Sequence, residues 1–157
     1  MEVKEITDKE QKREISTNIL NSLPEWFGIP EATKEYIDNS CNLPFLAVFE
    51  GAKPLGFVSL KENNKYTVEI YVMGILPNYH GQGLGRNLFN EVLKWTKAHK
   101  YEYLQVKTLD DSHTDSHYAI TRKFYLSMGF RPLECIPELW GEENPCLIMI
   151  QYIQNDK

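Results

Sequence analysis

Residues 67–100 constrain the chain more than any other stretch. The apolar run "TVEIYVMGIL" meets Pro77, then "HGQGLG" with Gly81, Gly83 and Gly85 at alternating positions, and continues directly into "RNLFNEVLKWTKAHK". The first segment is apolar on both faces, which reads as a strand central in a sheet. The last places Leu88, Val92 and Trp95 at helical spacing with basic residues in its final turn, an amphipathic helix. Glycine loses more backbone freedom on folding than any other residue, so three at a helix start imply a need for bare backbone. A helix start offers unpaired N–H donors and the positive end of the macrodipole, and an anion suits both. At this level a ligand-free glycine-rich turn is an equal alternative.

Spacing removes two familiar phosphate sites. The dinucleotide fingerprint is GxGxxG with an acidic residue about 20 positions on, whereas these glycines fall as GxGxG and the next strand ends near Lys107. The P-loop needs GK[ST], and Arg86-Asn87 follows instead. A nucleotide-binding redox domain is thereby disfavoured. Net charge is -5, from 17 Lys+Arg against 22 Asp+Glu, which speaks against nucleic acid as the main partner and mildly for a cationic one. Cys41, Cys135 and Cys146 are odd in number, with no CxxC pair, so a reduced cytoplasmic compartment and no metal site are expected. No apolar run approaches the ~20 residues of a membrane span, and "MEVKEITDKEQKRE" lacks the core of a signal peptide.

The remaining segments complete a mixed α/β, or α+β, pattern. "EVKEIT" reads as a strand, "DKEQKREISTNILNSL" as a helix with Ile15, Ile19, Leu20 and Leu23 on one face, and "PEWFGIPEATKEYIDNS" as a broken loop followed by a short helix. "PFLAVFE" and "KPLGFVSLKE" form a hairpin across "GAK". "YEYLQVKTL" is a strand, "SHYAITRKFYLSMGF" a helix stopped at Gly129, and "FRPLECI" and "PCLIMIQYI" close as strands. With no repeat or linker, one domain over 1–157 is expected, its sheet containing a parallel crossover.

Strand, Pro77 turn, glycines and helix together resemble the GNAT acetyltransferase superfamily, whose pattern is Arg or Gln, two residues, Gly, any residue, then Gly or Ala. Here His80-Gly81-Gln82-Gly83-Leu84-Gly85 stands in that place, His80 replacing the usual first residue. A second motif, residues 118–130, is similar to the family's later helix, with Tyr125 four residues before Gly129-Phe130; its "TRxFYxxxGF" form resembles a bacterial subgroup. Many members carry Asn seven residues before that tyrosine, but this chain has Tyr118 and the contact is not carried over. The resemblance implies a central, mostly antiparallel sheet with one splayed parallel pair and flanking helices. It also implies acetyl-CoA as co-substrate, its pyrophosphate held by amides from about Gln82 to Asn87 with Arg86 adding charge, and a homodimer as in many relatives.

Acetyl transfer to an amine requires deprotonation of the amine, polarisation of the thioester carbonyl and protonation of the departing thiolate. Glu69, a carboxylate within the apolar strand and six residues before Ile75, matches the general base of some members; an edge carboxylate reaching solvent is the alternative. Backbone N–H groups at Met73 and Ile75 are implied for the carbonyl, with Gly74 letting the strand bulge and splay. Tyr125 is implied as general acid, against a plain core aromatic. For the acceptor, Asp110, Asp111 and Asp115 with His113 and His117 form a polar loop, and Trp26 and Phe27 sit in "LPEWFGIP"; Tyr71 shares a strand face with Glu69. Trp140 is a weaker candidate of the same kind. The function implied is an N-acetyltransferase using direct attack by a small cationic amine. The alternatives are a protein amine as acceptor, or a non-catalytic acyl-CoA-binding sensor.

Overall fold

The computed structural model describes residues 1–154; the last three positions of the expected domain lie outside the described residues. Strands β1 (Glu2–Glu5), β2 (Phe45–Glu50), β3 (Lys53–Glu62), β4 (Thr67–Ile75), β5 (Tyr103–Leu109), β6 (Arg131–Ile136) and β7 (Cys146–Tyr152) accompany helices α1 (Lys9–Asn21), α2 (Pro30–Ser40), α3 (Leu84–Ala98) and α4 (Ser116–Ser127). The sheet runs β1-β2-β3-β4-β5-β7-β6, with β4 and β5 the parallel pair. That is the mixed architecture anticipated from the pattern of elements, and β4 is central.

Two compact units share β4: residues 1–61 with 70–95, and residues 62–69 with 96–157. In the first unit, α1 starts where the Asp8 side chain accepts the Gln11 N–H at 2.9 Å, and α2 starts with Pro30, whose missing N–H needs no partner there. Ile15, Ile19, Leu20 and Leu23 of α1 and Ile37 of α2 pack with Phe45, Phe49, Phe57 and Val72, the rings of Phe45 and Phe57 stacking at 5.0 Å. Val48, Leu55 and Leu84 form a second cluster, so β2 and β3 are buried on both faces. The hairpin turn is Gly51-Ala52, with Gly51 at φ +60, and Lys53 already pairs with Glu50.

Gly74 serves packing between α1 and β4. A Cβ at this position would meet Ile19 Cγ2 and Leu23 Cδ1 at 3.1 Å. The sequence reading assigned this glycine to a bulge; close approach of a helix is a sufficient reason for it.

In the second unit β7 lies between β5 and β6, antiparallel to both. Its register with β5 runs from Tyr103↔Tyr152 to Leu109↔Cys146. Edge strand β6 shifts register between Pro132 and Glu134, and a proline and an irregularity on an edge both discourage further pairing. Helix α4 begins at Asp115, whose carboxylate accepts the N–H groups of His117 and Tyr118. It ends in a Schellman cap: Gly129 (φ +102) donates to Leu126 O and Phe130 donates to Tyr125 O, both at 3.1 Å.

Candidate active site

The glycine loop follows a 3-10 turn at Pro77–Tyr79. Gly81 and Gly83 adopt φ of +75 and +81, conformations that side-chain-bearing residues avoid, while Gly85 lies inside the first turn of α3. The Asn87 N–H donates to Gly83 O at 3.0 Å, the first bond of the helix. This corrects the expected cradle at one end, because the Asn87 amide is already engaged and only its side chain stays available. The N–H groups from Gly81 to Arg86 make no hydrogen bond among the described residues. Successive unpaired amides in such a turn form an anion-binding concavity at the positive end of α3. Exposed Arg86 has no ion pair among the described residues, so its charge is available to the same anion. The loop therefore fits a pyrophosphate through backbone alone, plus one guanidinium.

His80, the departure from the family pattern, has a structural task. Its Nε2 lies 2.7 Å from Ile75 O, and its ring meets the edge of Trp26 at 5.8 Å between centroids. The imidazole ties the end of β4 to the loop before the glycines, and Trp26, one of the sequence candidates, braces it. Phe27 and Tyr71 are joined through Tyr36, which sequence reasoning did not single out: Phe27–Tyr36 is 5.8 Å and Tyr36–Tyr71 5.2 Å. The Tyr71 hydroxyl accepts from Asn39 Nδ2 at 2.8 Å. All four aromatics are half-buried against the first unit's core. Met73 and Ile75, on the Tyr71 face of β4 by strand alternation, are likewise half-buried.

Glu69 belongs to the second unit and is 4% exposed, which rules out the solvent-reaching edge carboxylate. Two amide donors meet its Oε1, Asn63 Nδ2 at 2.9 Å and Gln105 Nε2 at 3.0 Å, and the Lys107 ammonium forms an ion pair with the same oxygen at 3.3 Å. Neither amide hydrogen-bonds to Oε2. Sequence reasoning missed all three. The signal was present in β5, where Gln105 and Lys107 interrupt an apolar strand at i and i+2 and so must share a face.

Tyr125 is 8% exposed, and its ring meets Phe130 edge-on at 5.6 Å. That contact is the hydrophobic pair of the Schellman cap, so the tyrosine-to-Gly-Phe spacing has a helix-ending function whatever else the phenol does. Tyr118, in place of the family's asparagine, has its phenol pushed up to about 12, first by burial and then by Asp115 beside it.

The polar loop 110–115 is organised by its own backbone. Asp110 accepts from the Ser112 N–H at 3.1 Å, and hydrogen bonds from Ser112 hold its carboxyl below the usual range despite burial. His113 Nδ1 accepts from the Asp115 N–H at 3.1 Å. Burial would raise the Asp115 carboxyl, but the two helix N–H groups outweigh it and the net shift is downward. The fold also brings this loop to the one carrying Trp140: the Asp110 N–H donates to Pro145 O at 2.8 Å, and Asp110, Asp111 and Glu138 all act on the Cys135 thiol, which burial raises first. Two segments that looked separate in sequence thus make one acidic rim with an exposed tryptophan.

Comparison with known proteins follows this geometry. No curated protein is matched by sequence. Among solved structures, the aminoglycoside 6'-N-acetyltransferase from Enterococcus faecium superposes with a TM-score of 0.76 at 16% identity, covering 100% of this chain and 99% of that one. An aminoglycoside 6'-N-acetyltransferase complexed with coenzyme A gives 0.75 at 15% identity, covering 100% and 99%. The ribosomal-protein-S18-alanine N-acetyltransferase from Escherichia coli gives 0.75 at 16% identity, covering 99% and 97%. At such identities these likenesses establish the fold. Residues 13–130 match the sequence profile of the acetyltransferase (GNAT) family, and the chain belongs to that family of acetyl-CoA-dependent N-acetyltransferases.

Proposed function

We propose that the chain, acting as one domain over 1–157, transfers the acetyl group of acetyl-CoA to the primary amine of a small cationic acceptor by direct attack within a ternary complex. The observation that carries this reading is the state of Glu69: buried, ordered by two amide donors and the Lys107 ammonium on one oxygen, and with the other oxygen left to accept a proton. In this reading Glu69 takes the proton from the amine as the N–C bond forms. Backbone N–H groups at Met73 and Ile75 polarise the carbonyl, the C–S bond breaks, and the Tyr125 phenol protonates the thiolate. Amides from Gly81 to Arg86 hold the pyrophosphate. Acetyl-CoA, when bound, supplies the thioester.

The acidic rim of Asp110, Asp111 and Glu138, with exposed Trp140 two residues after Glu138, supports a cationic acceptor, as does the aromatic set Trp26, Phe27 and Tyr71. Aminoglycosides and the alanine of ribosomal protein S18 are the acceptors named for two of the structural neighbours. The acidic balance of the chain favours the cytoplasmic small-molecule reading over nucleic acid, and no helix among the described residues is long and apolar enough to cross a membrane.

The test is thiol release from acetyl-CoA across a panel of polyamines, amino acids, aminosugars and peptides, with calorimetric titration of coenzyme A on the same protein. Turnover with a cationic small amine, reduced in Glu69→Gln and Tyr125→Phe while coenzyme A still binds, is the expected result. Tight cofactor binding without turnover on any amine would favour a sensor instead. The homodimer implied by the resemblance is checked by sedimentation of the same sample.

A further inference from the structure

We infer that Lys107, with Asn63 and Gln105, is a positioning residue for Glu69: together they saturate Oε1 and leave Oε2 as the oxygen that takes the acceptor's proton. The inference rests on the reading of Glu69 as the base and deepens it.

A carboxylate oxygen offers two lone-pair directions, and on Oε1 both are taken by the amides at 2.9 and 3.0 Å, with the Lys107 ammonium paired to the same oxygen at 3.3 Å. The donors come from two separate segments. Asn63 stands in the turn between β3 and β4, where its backbone N–H also donates to Thr67 O at 2.9 Å. Gln105 and Lys107 stand two residues apart on β5 and therefore on one face. A carboxylate gripped by donors from both segments cannot rotate without breaking several bonds at once, so its plane, and with it the direction of Oε2, is fixed. Proton abstraction depends on that direction, since a misplacement of about 1 Å can cost about 100-fold in rate.

The ammonium adds what the two amides cannot. A buried carboxylate without a counter-charge is costly, and Lys107, 28% exposed at its side chain, brings a charge in from the half-open side of β5. Its attraction holds the oxygen against the amides rather than letting it turn towards solvent. The Cys146 thiol on β7 feels both Lys107 and Glu69 and is pushed up to about 11 by burial. It stays neutral through ordinary assay conditions and competes neither as base nor as nucleophile.

The experiment is a double-mutant cycle on thiol release, run with the most reactive amine of the panel and with water alone where no amine reacts. Lys107→Met is expected to lower kcat about 30-fold and to leave KM for acetyl-CoA within about twofold. Lys107→Arg should recover most of the loss. In a Glu69→Gln background, Lys107→Met should have no further effect, because its influence passes through the carboxylate. Gln105→Leu should act in the same direction by about fivefold and takes the place of the methionine variant if that chain does not fold. Equal losses in both backgrounds, or an undiminished kcat in Lys107→Met, would overturn the positioning role while leaving Glu69 as base. Undiminished turnover in Glu69→Gln alone would instead remove the base, and the inference would fall with it.

Discussion

The glycine loop of the first unit and the Glu69 carboxylate of the second both handle charge, and they are made of opposite materials. The loop presents main-chain N–H groups from Gly81 to Arg86; Gln82 and Arg86 are exposed, and Leu84 alone turns its side chain into the core. The carboxylate is held by side chains alone, from Asn63, Gln105 and Lys107. A backbone site depends on φ and ψ and tolerates most substitutions that keep them. A side-chain site depends on identity at each position and is indifferent to local conformational freedom. An enzyme built this way can vary its acceptor chemistry without disturbing the way it holds a common co-substrate.

Substitutions can separate the two. The largest effect is expected for Glu69→Gln, which keeps shape and removes the proposed base: kcat should fall about 100-fold to 10,000-fold, with coenzyme A affinity unchanged by calorimetry. Gly83→Val comes next. A branched side chain at φ +81 costs about 1–2 kcal/mol in backbone strain, and coenzyme A should bind at least about tenfold more weakly, although no side chain has been lost from the site. An unchanged affinity would mean that the amides are not the cradle.

Asp115→Ala tests the acidic loop. Loss of the cap on α4 should destabilise by about 1 kcal/mol, read as a lower denaturant midpoint. Because this carboxyl lies below its unfolded value in the folded chain, its contribution is full above the unfolded carboxylate range near about 3.9. That contribution is lost as pH falls through the lower folded value. The wild-type and Ala curves should therefore converge in strong acid. The smallest effect is expected for Gln82→Ala, no more than about twofold on coenzyme A affinity, since its Nε2 bond to Asn78 O at 3.2 Å lies at the exposed surface. A loss comparable with that of Gly83→Val would erase the distinction between the two kinds of site.

The same difference in material explains what the sequence revealed. Strands and helices came through because periodicity and stop signals are local, as at Gly129 after α4, whereas Pro30, read as a loop breaker, opens α2, and Asp115, read as an acceptor carboxylate, caps α4. The glycine loop was legible for the same reason, save for Asn87, whose amide is consumed by a hydrogen bond that only the exact helix start decides. Glu69 could be picked out as a polar residue in an apolar strand, but its partners lie 6, 36 and 38 positions away in the chain. No local pattern announces that they converge. Gly74 shows the complementary limit, since its reason is the approach of Ile19 and Leu23 from α1, a contact across some fifty residues of chain.

The strand order has a kinetic consequence. Strand β7 is inserted between β5 and β6, so β5 waits for a partner whose residues come as much as 49 positions later, as in Tyr103↔Tyr152. Pairings over such sequence separations carry loop-closure entropy before any contact offsets it, and they slow folding. The first unit closes its β2–β3 hairpin across two residues, and its own distant pairing, β1 with β2 as in Glu2↔Phe49, uses strands made well before β5. During synthesis β1, β2 and β3 can pair while β5, with its apolar Leu104, Val106 and Leu109, still lacks one flank. Because β7 is the last strand to be synthesised, the half of the molecule that holds the carboxylate is the last that a growing chain can complete, and until then its open flank is available to chaperones or to aggregation.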